Sequence, residues 1–302
     1  MIQSKRYVML LSLMVLFASC SLFKSEFIEI TSITQAEDTL RQADQNTLIV
    51  FDIDQTLIDP AMKCGQPRYQ QDKIFQKYRA ELEQYLAERR KIDPFYGEIF
   101  ESKIWQSSFE LVEPKTLDII KNLQTRGIKI VALTSTQPGR FGIVDRMDIE
   151  RSRNLKSVGI DFSTSFKDQG VELRGLKTYR GNYPTYYKGI ICPALNAGNT
   201  KGTALIAFFD AIKWTPKKVI FFDDSKDNAI SVVDEMRKHA IPCVAFLYRA
   251  AFIPAKDSLD ESLVRFQMDY LRKHDTVLAD EEAAAMMDKD DTTETQQVGF
   301  AD

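Results

Sequence analysis

The stretch IVFDIDQTL, residues 49–57, decides the fold that this sequence predicts. Its apolar beginning shows no alternation of polar and apolar residues, which is typical of a strand covered on both faces. The strand runs directly into Asp52 and Asp54, and in open α/β sheets ligands bind just beyond the carboxyl ends of the strands. The pattern therefore indicates a site at the end of a buried parallel strand. By itself it also fits a turn with two solvated acids.

Similar apolar segments and helical patterns continue along the chain. The segments that predict buried strands are residues 47–53, 128–134, 218–223 and 242–247. The amphipathic stretches that predict helices are residues 33–43, 114–126, 140–158, 201–212 and 226–238. Because strands alternate with helices, the sequence predicts the α/β class with a doubly wound, Rossmann-like parallel sheet.

An insert follows the first strand, over residues 59–113. Its charged portion, residues 67–90, predicts one long helix that has Pro67 at the first position. An aromatic-rich piece, residues 95–109, comes next. The insert therefore indicates a helical addition to the sheet.

Two later parts of the chain also depart from simple alternation. Two predicted strands, residues 171–176 and 187–192, flank a turn-rich piece at 180–184, which is typical of a β-hairpin. Residues 251–287 predict a C-terminal helical segment. Residues 288–302 are polar, acidic and aperiodic, and they predict a disordered tail.

The overall composition excludes several kinds of function. The chain has 302 residues and a formal net charge of -3, so it has no overall basic field that would favour nucleic acid. Its only two histidines, His239 and His274, lie outside polar clusters. This disfavours a Ser-His-Asp triad and a metal site built on histidine.

The amino terminus indicates export. Two basic residues precede an uncharged apolar run over residues 7–18, which is too short to span a bilayer comfortably and fits a signal peptide over residues 1–19. The run ends in FASC, residues 17–20, which resembles the bacterial lipobox and predicts lipidation at Cys20. A plain cleaved signal peptide and an uncleaved anchor are the alternatives. With the lipid, the protein is expected at a membrane, in the outer membrane or the periplasm.

Three further motifs place polar residues at strand ends or helix starts. In IVALTS, residues 130–135, Thr134 closes an apolar strand. In NTKG, residues 199–202, Lys201 opens a helix, where the helix dipole favours anions over cations and a lysine paired with a phosphate would make sense. Each motif alone also fits an alternative without function, in which Thr134 simply ends its strand or Lys201 is a solvated lysine.

The last motif is VIFFDDSKDN, residues 219–228, in which two adjacent acids end a buried strand. Asp223 and Asp224 repel each other unless a cation lies near them, and a hard divalent cation with oxygen ligands would relieve this repulsion. The alternative is a cluster of residues that caps the following helix.

Taken in order, the four motifs resemble those of the haloacid dehalogenase (HAD) superfamily: DxDx[TV], a strand ending in Thr or Ser, a lysine, and a paired-acid motif. The chain looks like a poorly characterised bacterial branch of it, and RNLKSVG, residues 153–159, is similar to secreted and lipoprotein HAD acid phosphatases. The resemblance implies a HAD-type core over residues 27–58 and 114–250. It also implies a helical cap over residues 59–113 and a β-hairpin insert before the third motif.

The resemblance implies roles for the motif residues. Asp52 would attack phosphorus, and Asp54 would act as the general acid and then the general base. Thr134 would bind a phosphoryl oxygen, and Lys201 would stabilise the transferring charge. The cofactor would be Mg²⁺.

The expected ligands of Mg²⁺ are Asp52, the backbone carbonyl of Asp54, and Asp224. Asp223 stands where a family variant has glycine, and Asn228 stands where that variant has its last acid. The outer ligand is therefore open, and Asp223 remains a candidate for it.

The implied function is that of an exported, Mg²⁺-dependent phosphomonoesterase that acts on a small phosphorylated substrate. In the cap, Arg68, Lys73 and Tyr78 are candidates for contacts to the leaving group, and a solvated helix face is the alternative. Other readings of the whole chain are a phosphotransferase, a phosphoprotein phosphatase, or a non-enzymatic surface lipoprotein that keeps the fold.

Overall fold

One large and one small β-sheet contain the strands of residues 26–298, the part of the chain that the computed structural model describes; side chains are described over 27–289. The strands are β1 (Glu26–Ile30), β2 (Thr47–Phe51), β3 (Ile58–Pro60), β4 (Phe109–Leu111), β5 (Lys129–Leu133), β6 (Gly170–Glu172), β7 (Thr185–Tyr187), β8 (Ile190–Cys192), β9 (Lys218–Asp223) and β10 (Cys243–Tyr248). The large sheet has the order β1-β10-β9-β2-β5-β8-β7-β6, and β3 pairs with β4.

The large sheet is mostly parallel. Strands β1, β10, β9, β2, β5 and β8 pair in parallel, and β7 and β6 extend the sheet as antiparallel strands. Phe51 of β2 lies beside Ala132 of β5 and Phe222 of β9, so the residues that follow these positions meet at one edge of the sheet. The predicted α/β class with a mainly parallel sheet is confirmed, and the sheet is compatible with a Rossmann-like fold.

The α-helices of the described residues flank both sheets. They are α1 (Glu37–Arg41), α2 (Lys73–Ile92), α3 (Tyr96–Gln106), α4 (Lys115–Thr125), α5 (Met147–Ser157), α6 (Lys201–Ile212), α7 (Lys226–Lys238), α8 (Glu261–His274) and α9 (Asp280–Val298). Within this part of the chain, no helix is both long and apolar enough to cross a membrane.

Strand β2 is buried on both of its faces. Ile49 and Phe51 belong to an apolar cluster on one side of the sheet, and Leu48 and Val50 belong to a cluster on the other. Because successive side chains of a strand point to opposite faces, burial of all four requires cover on both sides. Each such side chain contributes about 1.5–3 kcal/mol on burial. This explains the lack of alternation in the motif.

Helices α2, α3 and α8 form a separate apolar cluster, which we call the helical lobe. Its buried members are Met62, Cys64, Tyr69, Tyr78, Leu82, Tyr96, Phe100, Leu259, Val264, Met268 and Leu271. The antiparallel pair β3-β4 lies where the chain leaves and re-enters the sheet domain. The lobe therefore combines the insert with the C-terminal helical segment, an association that the sequence did not predict.

Two predicted helices begin later than expected. Pro67 lies in a short 3-10 turn, and α2 starts only at Lys73, where the Asp72 side chain accepts a hydrogen bond from the backbone N–H of Ile74 at 2.7 Å. The helix expected over residues 140–158 is reduced to α5. Gly139 and Gly142, with φ of +79° and +54°, adopt the left-handed region and interrupt any helix before it.

The remaining differences concern strands and the chain ends. The strand expected over residues 187–192 is split into β7 and β8 by a turn at Gly189, whose φ is +90°. Strand β1, which was not predicted, adds an edge to the sheet beside β10. Helix α9 continues to Val298 instead of giving way to a disordered tail. The predicted signal peptide, Cys20 and residues 299–302 lie outside the described residues.

Candidate functional site

Three of the predicted site residues lie at the carboxyl edge of neighbouring parallel strands. Asp52 follows β2, and its backbone N–H donates to the carbonyl of Phe222 at 2.8 Å, which continues the pairing with β9. Asp223 is the last residue of β9, and Thr134 follows β5. The spacing in the sequence and the register of the sheet thus bring the three residues to one place.

Lys201 lies at the first position of α6 and reaches this edge. Thr200 caps the helix, since its hydroxyl accepts a hydrogen bond from the backbone N–H of Thr203 at 3.1 Å. The Lys201 ammonium lies 2.7 Å from Oδ1 of Asp52 and 2.7 Å from Oδ2 of Asp223. The lysine side chain is completely buried, and the two carboxylates are at most 5% exposed. This buried ion-pair triad is the centre of the candidate site.

Negative charge exceeds positive charge in the triad and its neighbour Asp224. Burial raises the pKa of Asp52 well above its usual range, opposed by Lys201 and assisted by Asp223. Burial and the adjacent Asp223 raise the pKa of Asp224 to about 6. Burial alone would lower the pKa of Lys201, but Asp223 and Asp52 raise it, so the amine stays charged.

Asp52, Asp223 and Asp224 form the candidate metal centre. Each offers a carboxylate oxygen, and these oxygens lie within 4.8 Å of one another. Oxygen donors with surplus negative charge are the donor set that hard divalent cations take in proteins. These three carboxylates are therefore the groups that could hold a divalent cation.

The two adjacent acids have different surroundings. Oδ1 of Asp223 accepts hydrogen bonds from the backbone N–H of Ser225 at 2.8 Å and from the Asn228 amide at 3.2 Å, while Oδ2 accepts from Lys201. Asp224 is half-buried, and its backbone carbonyl accepts a hydrogen bond from Arg249 at 2.9 Å. Asp223 is thus fixed in the triad, and the carboxylate of Asp224 is the more open of the two.

Asp54 lies beside the triad and pairs with a residue that sequence reasoning missed. Its side chain is 43% exposed, and it forms an ion pair with Arg151, whose side chain is completely buried in α5. The available signal was the composition of this helix, whose buried residues include Asp148, Glu150 and Asn154 although it carries few apolar residues. A helix that is polar on all sides is often stabilised by pairs between its side chains, so the polar sequence of α5 was the signal that could have been read.

Thr134 is buried at the end of β5 within a small hydroxyl pair. Its Oγ1 lies 2.9 Å from Oγ1 of Thr136 and accepts a hydrogen bond from the backbone N–H of Thr136 at 3.2 Å. The hydroxyl is therefore held in place at the same edge as Asp52.

The structure does not bring the three cap candidates together. Tyr78 is only 5% exposed and belongs to the core of the helical lobe, which leaves little of its side chain open to a substrate. Arg68 lies beside the strand pair β3-β4, with its guanidinium 3.6 Å from the buried carboxylate of Asp59 and 3.2 Å from the carbonyl of Val112. Lys73 is exposed at the start of α2.

Comparisons with known proteins identify relatives without known activity. A family model described as "Protein of unknown function (DUF2608)" matches residues 29–284. An uncharacterized protein of Rickettsia bellii (strain RML369-C) is 26% identical over 245 residues, which cover 78% of this chain and 80% of that protein. An uncharacterized protein of Rickettsia prowazekii (strain Madrid E) is 26% identical over 206 residues, which cover 66% and 70%. No solved structure matches the chain significantly.

Proposed function

This chain belongs to the family described as "Protein of unknown function (DUF2608)", and for it we propose the function of a Mg²⁺-dependent phosphohydrolase. The substrate class is a small phosphate monoester. Asp52 is the nucleophile, and an aspartyl phosphate is the intermediate. The four-motif resemblance to the HAD superfamily supports this proposal.

The single observation that carries the proposal is the Lys201 ammonium, fully buried between Asp52 and Asp223. Burying one ammonium and two carboxylates is costly, and replacing such groups by apolar residues often stabilises a protein. A triad retained at the carboxyl edge of a parallel sheet, where ligands bind, is therefore better explained by chemistry than by stability.

The first step transfers the phosphoryl group to the protein. A carboxylate oxygen of Asp52 forms a bond to phosphorus, while the bond between phosphorus and the leaving oxygen breaks. Asp54 gives its proton to that oxygen, so the leaving group departs as an alcohol. Lys201 reduces the repulsion between Asp52 and the phosphate, and Thr134 donates a hydrogen bond to a phosphoryl oxygen.

The second step releases phosphate. Water attacks phosphorus, and the bond between phosphorus and the Asp52 oxygen breaks. Asp54, now ionised, takes a proton from that water and returns to its starting state. The proton demand of this half-reaction is the reverse of the first, so one carboxyl group serves both.

Asp52, Asp224 and the backbone carbonyl of Asp54 would hold Mg²⁺, with Asp223 next to them. When bound, the ion supplies positive charge that offsets the negative charge of the carboxylates and of the phosphoryl oxygens.

In this proposal the helical lobe serves as a HAD-type cap, and β6-β7 is the hairpin insert. The assignment of the lobe as a cap is supported by contacts between α3 and the loops of the sheet domain. Arg180 donates to both carboxylate oxygens of Glu98 at 2.8 and 2.6 Å, and the backbone N–H of Ile143 donates to the Ser102 hydroxyl at 3.1 Å. A cap that covered the site would favour small substrates over macromolecules.

Hydrolysis of p-nitrophenyl phosphate by the full chain tests the proposal. We expect turnover that requires added Mg²⁺ and that falls at least about 10³-fold in Asp52→Asn, because the nucleophile is lost. Asp210→Asn is the matched control, since Asp210 is exposed near the far end of α6, and it should retain wild-type turnover.

Turnover that survives in Asp52→Asn would contradict the assigned nucleophile. If the wild type showed neither turnover nor Mg²⁺ binding by calorimetry, the non-enzymatic reading would replace the proposed function. A ³²P-labelled protein that forms from labelled substrate in the wild type, and not in Asp52→Asn, would support the aspartyl phosphate directly.

We also propose that the protein is exported and held at a membrane by a lipid on Cys20. This rests on the sequence of residues 1–20 alone. Incorporation of a labelled fatty acid should be lost in Cys20→Ala. Equal incorporation in both proteins would contradict lipidation at this residue.

A further inference from the structure

Arg151 is a buried cation whose charge is directed toward the candidate site. Its side chain is completely buried, and its Nη2 pairs with Oδ1 of Asp54. Removing a guanidinium from water is costly unless it is paired and hydrogen-bonded. The carboxyl group of Asp54 is that partner, although its own side chain is 43% exposed. The arginine is thus enclosed by the protein and contacts the partly exposed Asp54 from the buried side.

A short chain of hydrogen bonds fixes Arg151 to the insert. Its Nη1 donates to the Asn154 side-chain oxygen at 3.0 Å, and the Asn154 amide donates to the backbone carbonyl of Trp105 at 2.8 Å. The guanidinium carbon lies 6.0 Å from the centre of the Trp105 ring and 5.7 Å from that of Phe109. These contacts hold a planar cation in one orientation.

The contact with Asp54 engages one carboxylate oxygen. Within residues 27–289, where side chains are described, the side chain of Asp54 makes no other hydrogen bond than the one from Arg151. Its second oxygen is therefore available for exchange of a proton with a ligand. A general acid or base must lie within hydrogen-bond reach of its target, and a small misplacement can cost about 10²-fold in rate.

We propose that Arg151 is a positioning residue that holds one oxygen of Asp54 so that the other faces the leaving group and then the water. Asn154 and the Trp105 carbonyl transmit the position of α3 to this pair. This role rests on the proposed function, because it concerns the acid and base of the same reaction. It identifies Arg151 and Asn154 as functional residues in addition to the four motifs.

The test compares two phosphate esters that differ in their need for a general acid. Phenyl phosphate has a poor leaving group that must be protonated, whereas 2,4-dinitrophenyl phosphate has a good one that departs without a proton. In Arg151→Met we expect kcat/KM for phenyl phosphate to fall about 10²-fold, the lower end of the contribution of a general acid. For the dinitrophenyl ester, kcat/KM should stay nearly unchanged. Arg151→Lys should show the same pattern with a smaller loss.

The turnover number provides a second readout. Both esters pass through the same aspartyl phosphate, and its hydrolysis needs Asp54 as the base. Where this hydrolysis limits turnover, kcat should fall by the same factor for both esters. A residue that only stabilises the fold would lower the amount of active protein and change both esters alike in kcat/KM.

Arg153→Met is the matched control, because Arg153 lies on the same helix, is 67% exposed and pairs with Glu150 at 2.7 Å. It should leave both esters unchanged. If Arg151→Met does not fold, as judged by circular dichroism, Asn154→Ala tests the proposal instead. This variant keeps the contact between Arg151 and Asp54 and removes the hydrogen bond from Arg151 to Asn154, which orients the guanidinium. The same ester-dependent pattern is expected there.

Equal losses for the two esters, or no loss, in folded Arg151→Met or Asn154→Ala would overturn the positioning role alone. Failure of the wild type to hydrolyse either ester in the presence of Mg²⁺ would overturn the proposed function and this role together.

Discussion

Lys201 shows how the site depends on single residues. It is enclosed between Asp52 and Asp223, and Gly202 next to it lets α6 approach α7, since a Cβ there would lie 2.3 Å from the carbonyl of Ser231. One lysine therefore satisfies two buried carboxylates, and the close packing of two helices keeps it there. The charge of each member is tolerable only because of the others.

Replacement of Lys201 by methionine should be strongly destabilising. Lys201→Met keeps much of the side-chain volume but leaves two buried carboxylates without their cation, at a cost of about 3–5 kcal/mol. Urea unfolding measures the change, and the exposed Lys217→Met is the control. A loss below about 1 kcal/mol, the scale of a surface ion pair, would show that the triad is not held as described.

The buried carboxyl group of Asp59 should make the free energy of unfolding depend on pH. Burial, opposed by the guanidinium of Arg68, raises the pKa of its carboxyl group to about 7 from an ordinary 3.8. Between these values the folded protein keeps a proton that the unfolded chain releases, so stability falls as pH rises from about 4 to 7, by up to about 1.4 kcal/mol per pH unit. Asp59→Asn should reduce this slope in urea unfolding at several pH values. An unchanged slope would exclude Asp59 as its source.

At the scale of secondary-structure elements, local sequence predicts best where caps and apolar spacing agree. Helices α6 and α7 were predicted with their observed bounds, since Thr200 and Ser225 cap them and apolar residues follow at helical spacing. The start of α5 was missed because the left-handed glycines at 139 and 142 serve contacts with distant residues. Local patterns carry no information about such partners.

Gly142 should be a sensitive point of contact between α3 and the sheet domain. A Cβ there would lie 2.2 Å from the Ser102 hydroxyl and 2.5 Å from the carbonyl of Glu98. Gly142→Ala should therefore cost about 1–3 kcal/mol from overpacking, in addition to the strain of its positive φ.

Gly181→Ala is the matched control, because φ there is +80° and nothing lies within 4 Å of the added carbon. It should show the backbone strain alone in thermal unfolding. Equal losses in the two variants would mean that α3 does not approach Gly142 closely.

At the scale of the whole molecule, the sheet domain and the helical lobe have separate apolar clusters of different origin. The sheet domain is built around the strands that the sequence predicted, and four motif residues meet there as the alternation of strands and helices implied. The association of the predicted insert with the C-terminal helical segment was not predicted, and neither was the partnership of Asp54 with Arg151. Both depend on contacts between residues far apart in the chain, which a reading of local periodicity does not reveal.

The lobe should open as one unit. Leu271→Ala in α8 removes a side chain that is 3% exposed and should cost about 2–5 kcal/mol. Amides of α2 should then lose protection from hydrogen exchange while amides of β2 keep theirs, because α2 and α8 share one core.

Leu40→Ala is the control, because Leu40 belongs to the cluster that covers the sheet. It should not lower the protection of the α2 amides from hydrogen exchange more than that of the other amides. If Leu271→Ala weakened β2 and α2 to the same degree, the lobe and the sheet would be a single cooperative unit.

Because α2 and α8 share one apolar core, the helical lobe can fold only after the C-terminal part of the chain has been synthesised. The insert leaves the ribosome early, but the helix that covers its apolar side is made near the end of the chain. Since domains tend to form as they emerge, the sheet can begin to assemble while the insert still exposes uncovered apolar side chains. A nascent chain that stalls before residue 261 therefore exposes an apolar surface that is prone to aggregation. This surface is covered only when the C-terminal helices have been made.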